Sequence, residues 1–181
     1  MARAITLFKI YSKNKFKPNE IHYEMNNDLN QTNPTGVYVT SIVGSYNSNT
    51  DLIELSNAGH LPALFKNKNE FYEYESSSLP LGVKKADNSN VYKLESFKLG
   101  TGRLYCFTDG FSECRNDQGE EIGIEGVKKL ITTFENSSLK KELLKITKDV
   151  EKRSTKGQNF DQDGSQANIL EDDLTIIGLG K

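Results

Sequence analysis

Residues 37–107 form a succession of short β-branched and aromatic runs, each cut off by Asn, Gly, Ser or Pro. Short strands joined by tight turns pair antiparallel, because a parallel return needs a long crossover. Residues 37–46 make the first run, Asn47-Ser48-Asn49-Thr50 turns it, and residues 52–56 run back as a hairpin. Asn57-Ala58-Gly59-His60 ends that strand. Residues 61–66 continue extended, Lys66-Asn67-Lys68-Asn69 is a polar turn, and residues 71–75 alternate aromatic with acidic. A further strand is expected at residues 91–94, and a buried one at residues 104–107 that stops at Thr108-Asp109-Gly110.

The flanks change period. Ile5, Phe8 and Tyr11 lie at helical spacing on one side of an opening helix. Pro18 can start a second helix, whose stripe is Ile21, Met25 and Leu29. Ile124, Val127, Leu130, Ile131 and Phe134 mark a third helix. Leu139, Leu143, Ile146 and Val150 mark a fourth. Residues 154–167 read as a mobile loop, and residues 174–179 as a closing strand. Helices, antiparallel strands, helices and a last strand describe an α+β layered domain, one domain over residues 1–181.

Composition excludes several classes. With 23 basic and 25 acidic residues, a net charge of -2 argues against nucleic acid as the main partner. No apolar run is long enough for a membrane span, and the opening residues lack the apolar centre of a signal peptide. The 2 cysteines, Cys106 and Cys114, fit no zinc or redox spacing and are too few for a disulfide framework, so a cytoplasmic, reducing setting is expected.

The residues that could carry chemistry are few. Asp109 ends a strand, so its carboxylate would be rigidly held yet face open space, as a hard cation requires. Asp-Gly is equally a common turn pair. Asp172 and Asp173 precede the closing strand. If that strand neighbours the one before Asp109, their acidic ends meet at one sheet edge, where a cation would relieve the repulsion. Adjacent residues of an extended chain face opposite ways, so only one of Asp172 and Asp173 would face the site. His60 could be a general acid or a ligand, but a histidine beside glycine at a turn more often holds the loop. His22 reads as a surface residue and Cys106 as a small core residue. Residues 159–171 imitate a calcium loop, but its last coordinating position falls on Leu170, so that match is set aside.

Four stretches in this order resemble the bacterial metal-dependent serine phosphatases of the sporulation stage II E and stress-response sigma-regulator type, a branch of the PP2C-like superfamily. They are Leu55-Ser56-Asn57-Ala58-Gly59-His60-Leu61-Pro62, Leu79-Pro80-Leu81-Gly82-Val83, the segment from Tyr105 through Asn116 to Gly123, and Asp172-Asp173-Leu174-Thr175. The resemblance implies a two-sheet antiparallel β-sandwich flanked by α-helices. It implies two manganese or magnesium ions and a metal-activated water that attacks phosphoserine directly, with no protein nucleophile. Asp109 matches a metal ligand, Asp172 another on the same ion. Asp173 and Gly110 are their neighbours, as ligands or one step behind them, while Asn57, Gly59 and His60 match a turn that supports the site.

The resemblance also implies strands and an Asp-x-x-Gly segment ahead of the opening helix, whose aspartate bridges both metals. The first acidic residue here is Glu20, in a different helix. The domain is therefore expected to be incomplete at its N-terminal edge, with one of the two ions lost. A fragment, a piece supplied by another chain, and a non-catalytic phosphatase-like binding module are all consistent with that. The implied partner is a phosphorylated regulatory protein such as an anti-sigma-factor antagonist, and exposed sheet edges suggest a homodimer by strand pairing or swapping.

Overall fold

The computed structural model of the 181-residue chain describes residues 2–32, 36–116, 118–135, 137–156 and 174–181. The strands form two antiparallel sheets, and the chain divides into two compact units, Met1–Gly102 and Arg103–Lys181.

The first unit opens with helix α1 (Ala2–Tyr11), followed by α2 (Pro18–Thr32). The stripe expected on α2 is the buried one: Ile21, Met25 and Leu29 all lie in the core. On α1 the expected stripe is displaced. Ala4 and Leu7 are buried, while Ile5 and Phe8 are exposed. Ala4, Leu7 and Tyr11 follow helical spacing equally well, and this face joins the core while the Tyr11 hydroxyl donates to Asp28 on α2 at 2.6 Å. That bond and burial push the Tyr11 hydroxyl up to about 12.

Strands β1 (Ser41–Asn47), β2 (Leu52–Ala58) and β5 (Glu95–Lys98) form a three-stranded sheet with β2 in the centre. The β1–β2 register runs from Asn47 opposite Leu52 to Ser41 opposite Ala58. Ser56, Asn57 and Ala58 are buried in succession, so this end of β2 is covered on both faces and does not alternate. Strands β3 (Ala63–Asn67) and β4 (Glu70–Tyr74) form a hairpin closed at Asn67 and Glu70, with Lys68 in the left-handed region. The strand expected at residues 91–94 is absent. Ser89–Val91 is a single helical turn capped by Asn88, whose side chain accepts from the Asn90 amide, and the strand starts later, at Glu95.

His22 is not on the surface. It is fully buried, with Nδ1 3.0 Å from Ser56 Oγ and Nε2 3.3 Å from Ser41 Oγ, and its ring lies against Tyr92. Helical spacing explains it: His22 stands beside Met25 and Leu29 on the apolar stripe. Burial lowers its pKa to about 4.

The second unit is built on β6 (Arg103–Phe107) and β7 (Ile176–Gly180), antiparallel from Arg103 opposite Gly180 to Phe107 opposite Ile176. Helices α3 (Asp109–Ser112), α4 (Gly123–Phe134) and α5 (Leu139–Lys156) follow β6. Val127, Leu130 and Ile131 are the buried stripe of α4, and Ile146 and Val150 that of α5. Residues 154–156 continue α5 where a loop was expected, since nothing in Ser-Thr-Lys forces a helix to stop. Gly178 brings α5 close to β7, because a Cβ there would stand 3.0 Å from Leu139 Cδ1. Glu142, fully buried on α5, accepts from the Tyr105 hydroxyl at 2.6 Å and pairs with Arg103, which also donates to the Ser137 carbonyl at 3.0 Å. Cys106 is half-buried, and burial pushes its thiol up to about 11; neither cysteine forms a disulfide.

Candidate metal centre

Leu104, Tyr105 and Phe107 bury β6 and fix its course. The antiparallel pairing continues one residue beyond it. The Thr108 amide donates to the Thr175 carbonyl at 3.0 Å, and the Thr175 amide donates to Thr108 Oγ1 at 3.0 Å. Threonine at the start of a helix ordinarily turns its hydroxyl onto the helix amides. Thr108 makes no such cap to α3, and its oxygen holds the approach to β7 instead.

Asp109 is the first residue of α3, after extended backbone at Thr108. Its carboxylate is exposed, and Oδ1 accepts the Gly110 amide at 3.1 Å. Its backbone is firmly held, since the Asp109 carbonyl accepts from the Glu113 amide at 2.8 Å and from Ser112 Oγ at 3.0 Å. The group is thus a fixed, negatively charged hard oxygen donor facing outward. Gly110 offers only its backbone. Asp172 and Asp173 lie outside the described residues, as does the calcium-like stretch at 159–171.

A magnesium or manganese ion needs several oxygen donors around it. Among the described residues no three His, Cys, Asp or Glu side chains gather closely enough to hold one. The described residues therefore do not make a metal site by themselves.

The Asn57–His60 turn belongs to the first unit and is saturated. Asn57 is 5% exposed. Its Nδ2 donates to the carbonyls of Leu61 at 3.0 Å, His60 at 3.2 Å and Tyr74 at 3.2 Å, and its Oδ1 accepts the His60 amide at 3.0 Å. Gly59 has φ +69°, and a Cβ there would stand 2.5 Å from Pro80 Cγ, so glycine is required twice over. Ser76 Oγ accepts the Gly59 amide at 2.6 Å.

Three polar groups escaped the sequence reasoning: Thr108, His22 and Glu142. The last two carried a readable signal, because each sits on the apolar stripe of its own helix. Glu142 falls three residues after Leu139 and four before Ile146.

Comparison with known proteins follows the same lines. The sequence model of the family described as Stage II sporulation protein E (SpoIIE) matches residues 1–180. Phosphoserine phosphatase RsbU of Bacillus subtilis (strain 168) is 26% identical over 165 residues, covering 90% of this chain and 44% of RsbU. The chain thus spans less than half the length of that relative. The SiaA-PP2C domain of Pseudomonas aeruginosa superposes with TM-score 0.77 at 14% identity, over 98% of this chain and 66% of that one. The manganese-presoaked phosphatase domain of SpoIIE from Bacillus subtilis gives 0.60 at 16% identity, over 97% of this chain and 70% of that one. At such identities the structures speak for the fold, which is PP2C-like.

Proposed function

Because this chain belongs to the stage II sporulation protein E family, we propose that it is the phosphatase domain of a protein serine/threonine phosphatase, one domain over residues 1–181. Its substrate would be phosphoserine on a regulatory protein such as an anti-sigma-factor antagonist. The name of RsbU, a phosphoserine phosphatase, supports the reaction class. The manganese presoak of the SpoIIE phosphatase domain supports a divalent cofactor, manganese or magnesium. A bound divalent cation supplies an activated water for attack on phosphorus and neutralises charge on the phosphoryl oxygens.

In this reading Asp109 and Asp172 are ligands, and Asp173 and Gly110 stand beside them. The observation that carries it is the Thr108–Thr175 pair, which holds the approach to β7 at the Asp109 end of β6. In sequence Asp172 and Asp173 precede Thr175 by three and two residues, which is the reason for proposing them as the second acidic arm beside Asp109. Asn57, Gly59 and His60 act as scaffold and take no part in the chemistry. Among the described residues no helix is long and apolar enough to cross a membrane, and the reading assigns the protein to the cytoplasm. Self-association through strand edges belongs to the same reading.

The test is manganese titration by calorimetry of the chain and of Asp109→Asn, beside phosphate release from a phosphoserine protein. The variant should lose at least about tenfold in manganese affinity and melt like the parent. Full affinity retained in Asp109→Asn would refute the ligand assignment. Manganese binding without any metal-dependent phosphate release would favour the non-catalytic binding module.

A further inference from the structure

Strand β4 stands at one end of its sheet, with β3 on one side. On its other side no strand pairs with it among the described residues. The register with β3 runs without a bulge, from Glu70 opposite Asn67 to Tyr74 opposite Ala63. In an antiparallel pair alternate residues turn their amide and carbonyl away from the partner, so the outer side of β4 is a row of unpaired backbone groups. Proteins close such edges with proline, lysine, a bulge or a covering element. Strand β4 holds neither proline nor lysine, and Tyr72 at its middle is 46% exposed. Asn57 Nδ2 donates to the Tyr74 carbonyl at 3.2 Å and anchors the far end of the strand.

The side chains along this edge are consecutive residues of one strand, aromatic and acidic in turn. Glu70, Tyr72 and Tyr74 share one face, since side chains alternate, and the Tyr72 hydroxyl donates to Glu70 at 2.7 Å. The two tyrosines rest on a fixed aromatic base. Phe65 on β3 lies 6.2 Å from Tyr72 and 4.7 Å from Phe97, which stacks on Tyr74 at 4.5 Å. Phe71 and Glu73 take the other face. There β3 already displays what this strand accepts across a pair: Lys66, opposite Phe71, sets its Nζ 5.2 Å from the centre of the Phe71 ring. Lys68 lies in the turn, past the last paired residues, so the strand's own charges are Glu70 and Glu73, with Glu75 following.

We propose that the open edge of β4 binds an extended, arginine- or lysine-bearing segment of another protein, added to the sheet as a further strand. The backbone groups require a strand, and the side chains choose its charge. A cation at alternate positions of that segment would lie over Tyr72, as Lys66 lies over Phe71, with the Glu70 carboxylate beside it. A second copy of this strand fits less well, because self-pairing sets two groups of glutamates against each other. Neither metal nor phosphate enters, so the proposal goes beyond the phosphatase reading and stands apart from it.

Hydrogen exchange of the 181-residue chain, titrated with a synthetic peptide that alternates arginine with valine, tests it. The amides of β4 that face away from β3 should gain protection. A peptide with proline at the central valine keeps the charge but loses an edge hydrogen bond, and should bind at least about tenfold more weakly. Glu70→Lys with Glu75→Lys should weaken binding of the arginine peptide by about tenfold or more without changing the melting temperature. A peptide with glutamate in place of arginine should not bind. No binding, equal binding of the proline or glutamate peptide, or protection confined to other segments would overturn the proposal. Protection of the same amides without peptide, growing with protein concentration, would overturn it in favour of a second copy.

Discussion

Asn57, in the last residues of β2, and Asp109, just past the end of β6, are both polar residues at a strand end, and they are built in opposite ways. At Asn57 the side-chain amide meets three carbonyls and one amide, and the residue is all but inaccessible. At Asp109 the backbone is held while the carboxylate faces outward and, among the described residues, accepts the neighbouring Gly110 amide. A saturated polar group maintains shape and has nothing left to offer a ligand. A charged group on a fixed backbone with its oxygens outward contributes little to shape and is available for binding. Glu142 and His22 belong with Asn57 in this respect.

Substitutions can break that division, and the largest effect is expected at Glu142. Glu142→Ala leaves the Tyr105 hydroxyl and the Arg103 guanidinium without their carboxylate, which should cost about 3–5 kcal/mol, read by urea denaturation. A loss under 1 kcal/mol (roughly what a surface pair contributes) would move Glu142 out of the shape-maintaining class. Asn57→Ala should cost roughly 2–4 kcal/mol, because it takes the side-chain amide away from three backbone carbonyls and the His60 amide.

His22 sharpens the same division through pH. Its folded pKa of about 4 lies below the ordinary histidine value of 6.5, so the unfolded chain takes up the proton first. Stability is complete above pH 6.5 and declines as pH falls towards 4, by up to roughly 3 kcal/mol. His22→Gln should flatten that part of the profile, whatever its effect at neutral pH, and an unchanged slope would mean another group titrates there. The smallest effect on stability belongs to Asp109→Asn, expected within about 0.5 kcal/mol in the absence of metal. A strongly destabilised Asp109→Asn would put the carboxylate among the groups that hold the fold together, and the comparison would fail.

Much of this was legible from residue patterns. The α2 stripe, the hairpin from Asn47 to Leu52 and the strand before Asp109 follow from periodicity and turn chemistry, which are local. The misplaced features are those decided by tertiary contact. Ile5 and Phe8 mark as good a stripe on α1 as Ala4 and Leu7 do, and only the neighbouring helix chooses between them. His22 reads as polar until two serine hydroxyls from β1 and β2 are brought to its ring. The strand near residue 91 was displaced because Asn88 caps a helical turn there, a choice that propensity alone does not make. For the candidate site, Asp109 could be named from its position at a strand end, but the hydroxyl of Thr108 could not. Its partner lies 67 residues away in sequence.

The half-buried thiol of Cys106, one residue before Phe107, has a consequence for kinetics. At a pKa of about 11 almost none of it is thiolate near neutral pH, and the thiolate is the reactive form. Alkylation is then governed by how often β6 separates from its surroundings and lets the sulfur ionise. The strand that leads to Asp109 thus contains its own clock, in which labelling under native conditions counts openings that an equilibrium melt averages away.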